Sequence, residues 1–202
     1  MRKLARTLAN NDYQIINVHY PSRKLAIEEL VQYLHGEIAP WCTDPSRKVH
    51  FVTHSLGGIL VRAYVKTYPP VNLGRVVMLS PPNRGSELID IFRDHWWFRK
   101  FFGPIRSQLG TDINSVPNTL GLVNFELGVI AGNRSINPIG SALIPAPNDG
   151  TVSVEHTQIE GMRDFLIVPY GHTCIMMRKV VAEQTLHFLQ TGYFQRRTNG
   201  HK

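Results

Sequence analysis

Val49-His50-Phe51-Val52-Thr53-His54-Ser55-Leu56-Gly57-Gly58-Ile59-Leu60 is the stretch that decides how this chain is read. The apolar run from Val49 to Thr53 is expected to form a strand. Leu56, Leu60, Val61, Tyr64, Val65 and Tyr68 recur at helical spacing, up to a stop at Pro69-Pro70. Between strand and helix there is room only for a tight turn, with Ser55 in it. That context makes a G-x-S-x-G-type motif credible, in which a strained backbone pushes the serine hydroxyl into the open. Positions two before and two after the serine must be small, because strand and helix crowd there. Thr53 and Gly57 occupy them, and Gly58 eases helix–strand packing. The Leu56 N–H lies at the helix start, where it can donate to a developing oxyanion. The competing use for Ser55 is as a helix N-cap, a role serine often fills.

Working outward, Tyr13–Val18 reads as a further strand, followed by a helix carrying Ala26, Ile27, Leu30, Val31 and Leu34. Strands are also expected at Arg75–Leu79, Phe125–Ala131 and Asp164–Val168. A last helix is expected over Met176–Gln190, with Met177, Val180, Val181, Gln184 and Phe188 on one face. Strands alternating with helices predict an α/β fold, a mainly parallel sheet with helices on both faces. Val76-Val77-Met78-Leu79 and Phe165-Leu166-Ile167-Val168 are apolar throughout, as strands buried on both sides should be. One domain is expected over residues 1–195, with a polar, frayed tail from Arg196 to Lys202.

A serine hydroxyl is a weak nucleophile at neutral pH and needs an adjacent base, itself oriented by an acceptor. His172 lies in Val168-Pro169-Tyr170-Gly171-His172-Thr173, after the last apolar strand and before the final helix, and Gly171 allows a sharp turn. His54 adjoins the nucleophile and should point away from its hydroxyl. For the acid, Asp149 stands in Pro147-Asn148-Asp149-Gly150-Thr151-Val152, between the fourth and fifth strands. The alternative is an ordinary Asp-Gly turn. Glu155 and Asp164 are rival acids, although Asp164 opens the last strand at its wrong end.

Thr53-His54-Ser55-Leu56-Gly57-Gly58 resembles the nucleophile elbow of lipase and esterase members of the α/β-hydrolase family, with Thr53 where Gly is commonest. The turn around Asp149 is similar to the one carrying the catalytic aspartate in several bacterial lipases, and His172 lies where the family places its base. The resemblance implies a serine esterase or lipase working through an acyl-enzyme, with Ser55, Asp149 and His172 catalytic, the Leu56 N–H in the oxyanion hole, and no cofactor or metal. In the family a strand before the first helix ends in a His-Gly loop that supplies a second oxyanion N–H. Here Met1 already falls in what looks like that first helix, with Leu4 and Leu8 on it, so the fold is expected to be N-terminally truncated. The strand without a counterpart would lie between Tyr13–Val18 and Val49–Thr53. Either the sequence is a fragment or its start is miscalled, the alternative we favour because the triad candidates look intact. Otherwise it is an impaired pseudo-hydrolase that binds lipid or protein. An acyltransferase is a further alternative.

Composition sets outer limits. Of 202 residues, 43% are hydrophobic and 18% charged, the balance of an ordinary globular domain. The net charge of +7 is spread over scattered basic residues without a nucleic-acid motif, so no nucleic-acid partner is expected. Two cysteines, Cys42 and Cys174, are expected to be free thiols, compatible with a reducing, cytoplasmic compartment. Neither a signal peptide nor a transmembrane run is recognisable. Residues 81–124 form a long stretch between strands, a candidate cap or lid. It carries Ile91, Phe92, Trp96, Trp97, Phe98, Phe101 and Phe102 among Arg93, Arg99 and Lys100. Such a cluster suits a small-molecule or lipid ester and transient contact with a membrane surface, or else packs its aromatics on the sheet.

Overall fold

A computed structural model describes residues 1–96, 103–135 and 138–196. Its centre is one parallel sheet of four strands whose spatial order follows the chain: β1 (Val49–His54), β2 (Leu73–Leu79), β3 (Leu127–Gly132) and β4 (Asp164–Val168). Parallel neighbours cannot be joined by tight hairpins, so each crossover spends its length on helix or long loop. The main helices are α1 (Arg2–Ala9), α2 (Ile27–Ile38), α3 (Leu56–Thr67), the short α4 (Glu87–Phe92) and the C-terminal helix Lys179–Thr191.

Strand side chains alternate between the two faces, and each face is covered by different helices. Val77 and Leu79 pack with Leu4 and Leu8 of α1 and with Val181, Phe188 and Leu189 of the C-terminal helix. Val76 and Met78 face the other way, toward Val61 of α3. α2 and α3 bury Leu30, Leu34, Ile59 and Tyr64 against each other. All four residues Val76–Leu79 are fully buried, as a central parallel strand requires. Gly128 of β3 lets the C-terminal helix settle onto the sheet, since a Cβ there would lie 2.6 Å from the Phe188 ring.

Three expectations about elements need correction. Tyr13–Val18 is not a strand: it runs without a ladder partner, and β1 pairs only with β2. A strand exists only by pairing, and the described residues supply nothing to stand between this segment and β1. Instead Tyr13 packs edge-on against His50, with ring centroids 5.8 Å apart. Second, Phe165–Val168 is not buried on both sides. β4 is an edge strand, and Ile167 is 45% exposed. Third, the last helix begins at Lys179, after a 3₁₀ turn at Ile175–Met177. Its buried stripe is Val181, Ala182, Thr185, Phe188 and Leu189, while Met177 and Val180 face outward.

Of the aromatic cluster in residues 81–124, Trp97, Phe98, Arg99, Lys100, Phe101 and Phe102 lie outside the described residues, as does the tail beyond Arg196. Trp96 is 77% exposed, and Phe92 packs against the α2–α3 core. Among the described residues no helix is long and apolar enough to cross a membrane. Cys42 and Cys174 are both free thiols.

A buried cation ties the loop after β2 to the fold. Arg62 of α3 is almost fully buried, and its guanidinium donates to Asn83 O (2.9 Å), Asn83 Oδ1 (3.3 Å), Pro117 O (2.9 Å) and Gly121 O (2.7 Å). Burial lowers its pKa to about 10, so it stays charged at neutral pH. The guanidinium fork meets several carbonyls at once, which an ammonium cannot do. Arg62→Lys and Arg62→Met are both expected to lower stability by about 2–4 kcal/mol, because carbonyls are left buried without donors. Urea midpoints of the two variants check this, and a loss under about 0.5 kcal/mol would show that the network carries little.

Candidate active site

β1 ends at His54, and the chain turns at Ser55 with φ 54° and ψ −125° before α3 begins at Leu56. A positive φ is uncommon for a residue with a Cβ. The turn is held open from behind by the Ser55 N–H bond to Leu79 O of β2 (2.9 Å). The need for small neighbours is visible in distances. A Cβ on Gly57 would lie 3.2 Å from Thr53 Cβ, and one on Gly58 would lie 2.9 Å from Pro81 Cβ. Ser55 makes no capping hydrogen bond to α3. Its Oγ lies 2.9 Å from His172 Nε2 instead, which removes the N-cap alternative.

His172 stands in the loop after β4, and its Nδ1 lies 2.8 Å from Asp149 Oδ2. A carboxylate only accepts, so Nδ1 carries the proton and Nε2 is left with a lone pair facing the serine hydroxyl. The two loops are also joined through the backbone, His172 N–H to Asp149 O at 3.1 Å. The three residues singled out in the sequence, Ser55, Asp149 and His172, are therefore in continuous contact. The rival acids lie elsewhere. Asp164 receives the Phe194 N–H (2.7 Å) and pairs with Arg196, and Glu155 sits 4.0 Å from Arg84.

The Asp149 side chain is fully buried, and its two oxygens have separate partners. Oδ1 accepts the Thr151 and Val152 N–H groups (3.0 and 2.9 Å), leaving Oδ2 for His172. The turn can do this because Gly150 adopts φ 90°, while Asn148 pins it from the other side: its Oδ1 accepts the Gly150 N–H (3.0 Å) and its Nδ2 donates to Ile144 O (3.0 Å). Burial pushes the Asp149 carboxyl up. The His172 hydrogen bond and charge, the Val152 N–H and the Ser80 hydroxyl together outweigh it, so the group is held below its ordinary value.

Sequence reasoning missed three contributors. Ser80, fully buried at the end of β2 with φ 45°, reaches the Asp149 carboxylate with its hydroxyl and accepts the Gly132 N–H at 3.4 Å. Its available signal was position: the first polar residue after the apolar run Val76–Leu79, at the carboxyl edge where such sheets place their sites. Gly132 ends β3, and a Cβ there would lie 2.2 Å from Tyr170 O and 3.0 Å from Asp149 Cβ, so the loops carrying Asp149 and His172 close only over glycine. His54 makes no hydrogen bond to the Ser55 hydroxyl, as expected, but it is not idle. Its Nε2 lies 2.8 Å from His172 O, and the two rings are 4.8 Å apart. Burial, with the His172 charge beside it, lowers the His54 pKa to about 4, so it is neutral and Nε2–H is the donor.

Beside Ser55 lies a cleft of about 60 Å³ lined by Leu56, Ile89, Ile105, Leu109 and Val152 among others. Leu56 thus presents the first N–H of α3, one of the donors a helix leaves unused, at the same place as the hydroxyl.

No protein-family model and no curated protein matches the chain. Solved structures do. The mature lipase BlEst2 of Bacillus licheniformis superposes with a TM-score of 0.70 at 20% identity, over 93% of this chain and 83% of that one. Phospholipase PlaB from Legionella pneumophila gives 0.70 at 18% identity, over 95% and 56%. The metagenomic carboxyl esterase MGS0156 gives 0.69 at 17% identity, over 85% and 58%. The chain has an α/β-hydrolase fold. It shares that fold with these lipase, phospholipase and esterase structures, and it spans little more than half the length of the phospholipase and the carboxyl esterase.

In this α/β-hydrolase fold His54 binds a proton when unfolded below its ordinary 6.5 but not when folded until about pH 4. Its contribution to stability is therefore complete above about pH 6.5 and is lost as pH falls toward 4, a swing of about 3 kcal/mol. Denaturant midpoints should fall across that window in the wild type, and the slope should flatten in His54→Gln. Equal slopes in the two proteins would show that His54 is not the titrating group.

Proposed function

We propose that this chain is a serine hydrolase that cleaves carboxylic esters through an acyl-enzyme. The observation that carries this is the Ser55 Oγ to His172 Nε2 contact of 2.9 Å, with Asp149 buried behind the ring at 2.8 Å. Ser55 loses its proton to His172 Nε2 as its oxygen attacks the ester carbonyl. The tetrahedral oxyanion takes a hydrogen bond from the Leu56 N–H. His172 then gives the proton to the leaving alkoxide, the carbonyl re-forms, and the alcohol departs. Water enters, His172 takes its proton, and a second collapse releases the acid and restores the serine. Asp149 stays ionised throughout; it holds the ring tautomer and offsets the charge on the imidazolium. No step calls for a cofactor. The strained Ser55 backbone and the apolar cleft beside the hydroxyl support the same reading, as do the names of the superposing structures. We take the substrate to be a small-molecule or lipid ester and the described residues of the 81–124 stretch to form a cap over it, with Ile91 and Trp96 facing outward where a lipid surface could be met.

A fluorophosphonate probe should label the wild type and fail to label Ser55→Ala. With p-nitrophenyl esters, Ser55→Ala and His172→Ala should each lose about 10⁶-fold in kcat, and Asp149→Asn about 10⁴-fold. Undiminished labelling or turnover in Ser55→Ala would remove Ser55 as the nucleophile.

A further inference from the structure

We infer that the small apolar cleft beside Ser55 is an acyl site that selects short chains over long ones; this rests on the ester-hydrolase reading above. The walls fix the chemistry of the occupant. Leu56, Leu88, Ile89, Ile105, Leu109 and Val152 supply an apolar lining. The polar group of Ser86 at its side is already engaged, its Oγ donating to Thr151 O at 2.9 Å. A hydrocarbon tail therefore suits a lining that is mostly apolar, with Ser86 and Thr151 supplying its few polar groups.

The volume limits the length. About 60 Å³ is small beside the roughly 300–1,000 Å³ of clefts that take larger ligands, so a short acyl chain such as butanoyl or hexanoyl suits it. The far wall does not yield easily. Ile89, Ile105 and Leu109 are part of the core that also contains Leu30, Leu34 and Ile59 of α2 and α3. Leu109 O accepts the Ser86 N–H (2.9 Å), and the neighbouring Gln108 accepts the Ile27 N–H at the start of α2 (2.8 Å). Moving that wall aside means opening packed core, and a longer chain has to do so or leave its end in water.

The cleft also touches the reacting groups. Val152 lines it while its N–H holds Asp149 Oδ1. Leu56 lines it while presenting the first N–H of α3. A well-fitted chain therefore packs against the residues that orient the acid and stabilise the oxyanion, and selection should appear in kcat as well as in KM.

The test is kcat/KM over p-nitrophenyl acetate, butanoate, hexanoate, octanoate and decanoate, each below its aggregation concentration, for the wild type, Leu109→Ala and Leu109→Phe. The wild type should peak at butanoate or hexanoate, rising up to about fourfold per methylene before the peak and falling at least tenfold by decanoate. Leu109→Ala should move the peak to octanoate or beyond, and Leu109→Phe should move it to acetate. A wild-type profile that is flat or still rising at decanoate overturns the short-chain site, and so does a peak unmoved in both variants when these melt within a few degrees of the wild type. The wild-type profile alone decides the matter if neither variant folds. Absence of turnover on every ester, together with absence of fluorophosphonate labelling, overturns the hydrolase reading itself and this inference with it. Turnover with the wrong chain-length profile overturns only the inference.

Discussion

Ser55 occupies φ 54°, ψ −125°, a conformation that costs energy for any residue carrying a Cβ. The cost is borne because everything around the turn over-determines it. The N–H is fixed to β2, Gly57 and Gly58 leave no Cβ between α3 and the strands, and α3 is locked down by its own buried stripe. The result is that the hydroxyl leaves the backbone at the carboxyl edge of the sheet instead of folding back over the helix end. Relaxing the turn would let the serine cap α3 and would take it out of reach of His172. The geometry of the site therefore depends on a strained residue held by a well-packed frame.

The same edge gathers the other groups because every strand is parallel and ends there. Ser80 follows β2, Gly132 closes β3, and His172 follows β4. Burying an ionised Asp149 among them is expensive, and the structure compensates with four contacts: two backbone N–H groups, a serine hydroxyl and the imidazole. Behind the carboxylate, the Ser80 hydroxyl links Asp149 to the Gly132 N–H. His54 completes the frame from the Ser55 side by holding the His172 carbonyl. The loop after β2 is held by Arg62 through three main-chain carbonyls and the Asn83 side chain, so the wall of the cleft and the acid loop are anchored to the same core.

The open side of the sheet has a different character. β1 pairs with β2 alone, and Tyr13–Val18 lies alongside as irregular chain, with Tyr13 against His50 and the Tyr20 hydroxyl near Gly57. Ile15 and Ile16 remain exposed there. A segment rich in β-branched residues has found side-chain contacts but no ladder, because ladder hydrogen bonds require a strand in register and side-chain packing does not.

Local sequence settled what depends on neighbours along the chain. The strand–Ser55–helix turn, the helix stop before Pro69-Pro70, the Asp149-Gly150 turn and the alternation of strand and helix each follow from residues a few positions apart, whose sterics act locally. The choice of His172 and Asp149 rested on their order behind a motif, and the contact distances rest on the fold. Tertiary structure alone decided the rest. Whether Tyr13–Val18 becomes a strand, whether β4 is covered, and which face of the last helix is buried all depend on partners distant in sequence. So do the roles of Ser80, Gly132 and His54. A buried serine, a glycine and a neutral histidine look ordinary in a linear chain, and they become positioning groups only when three loops meet at one edge and leave a carboxylate to be satisfied.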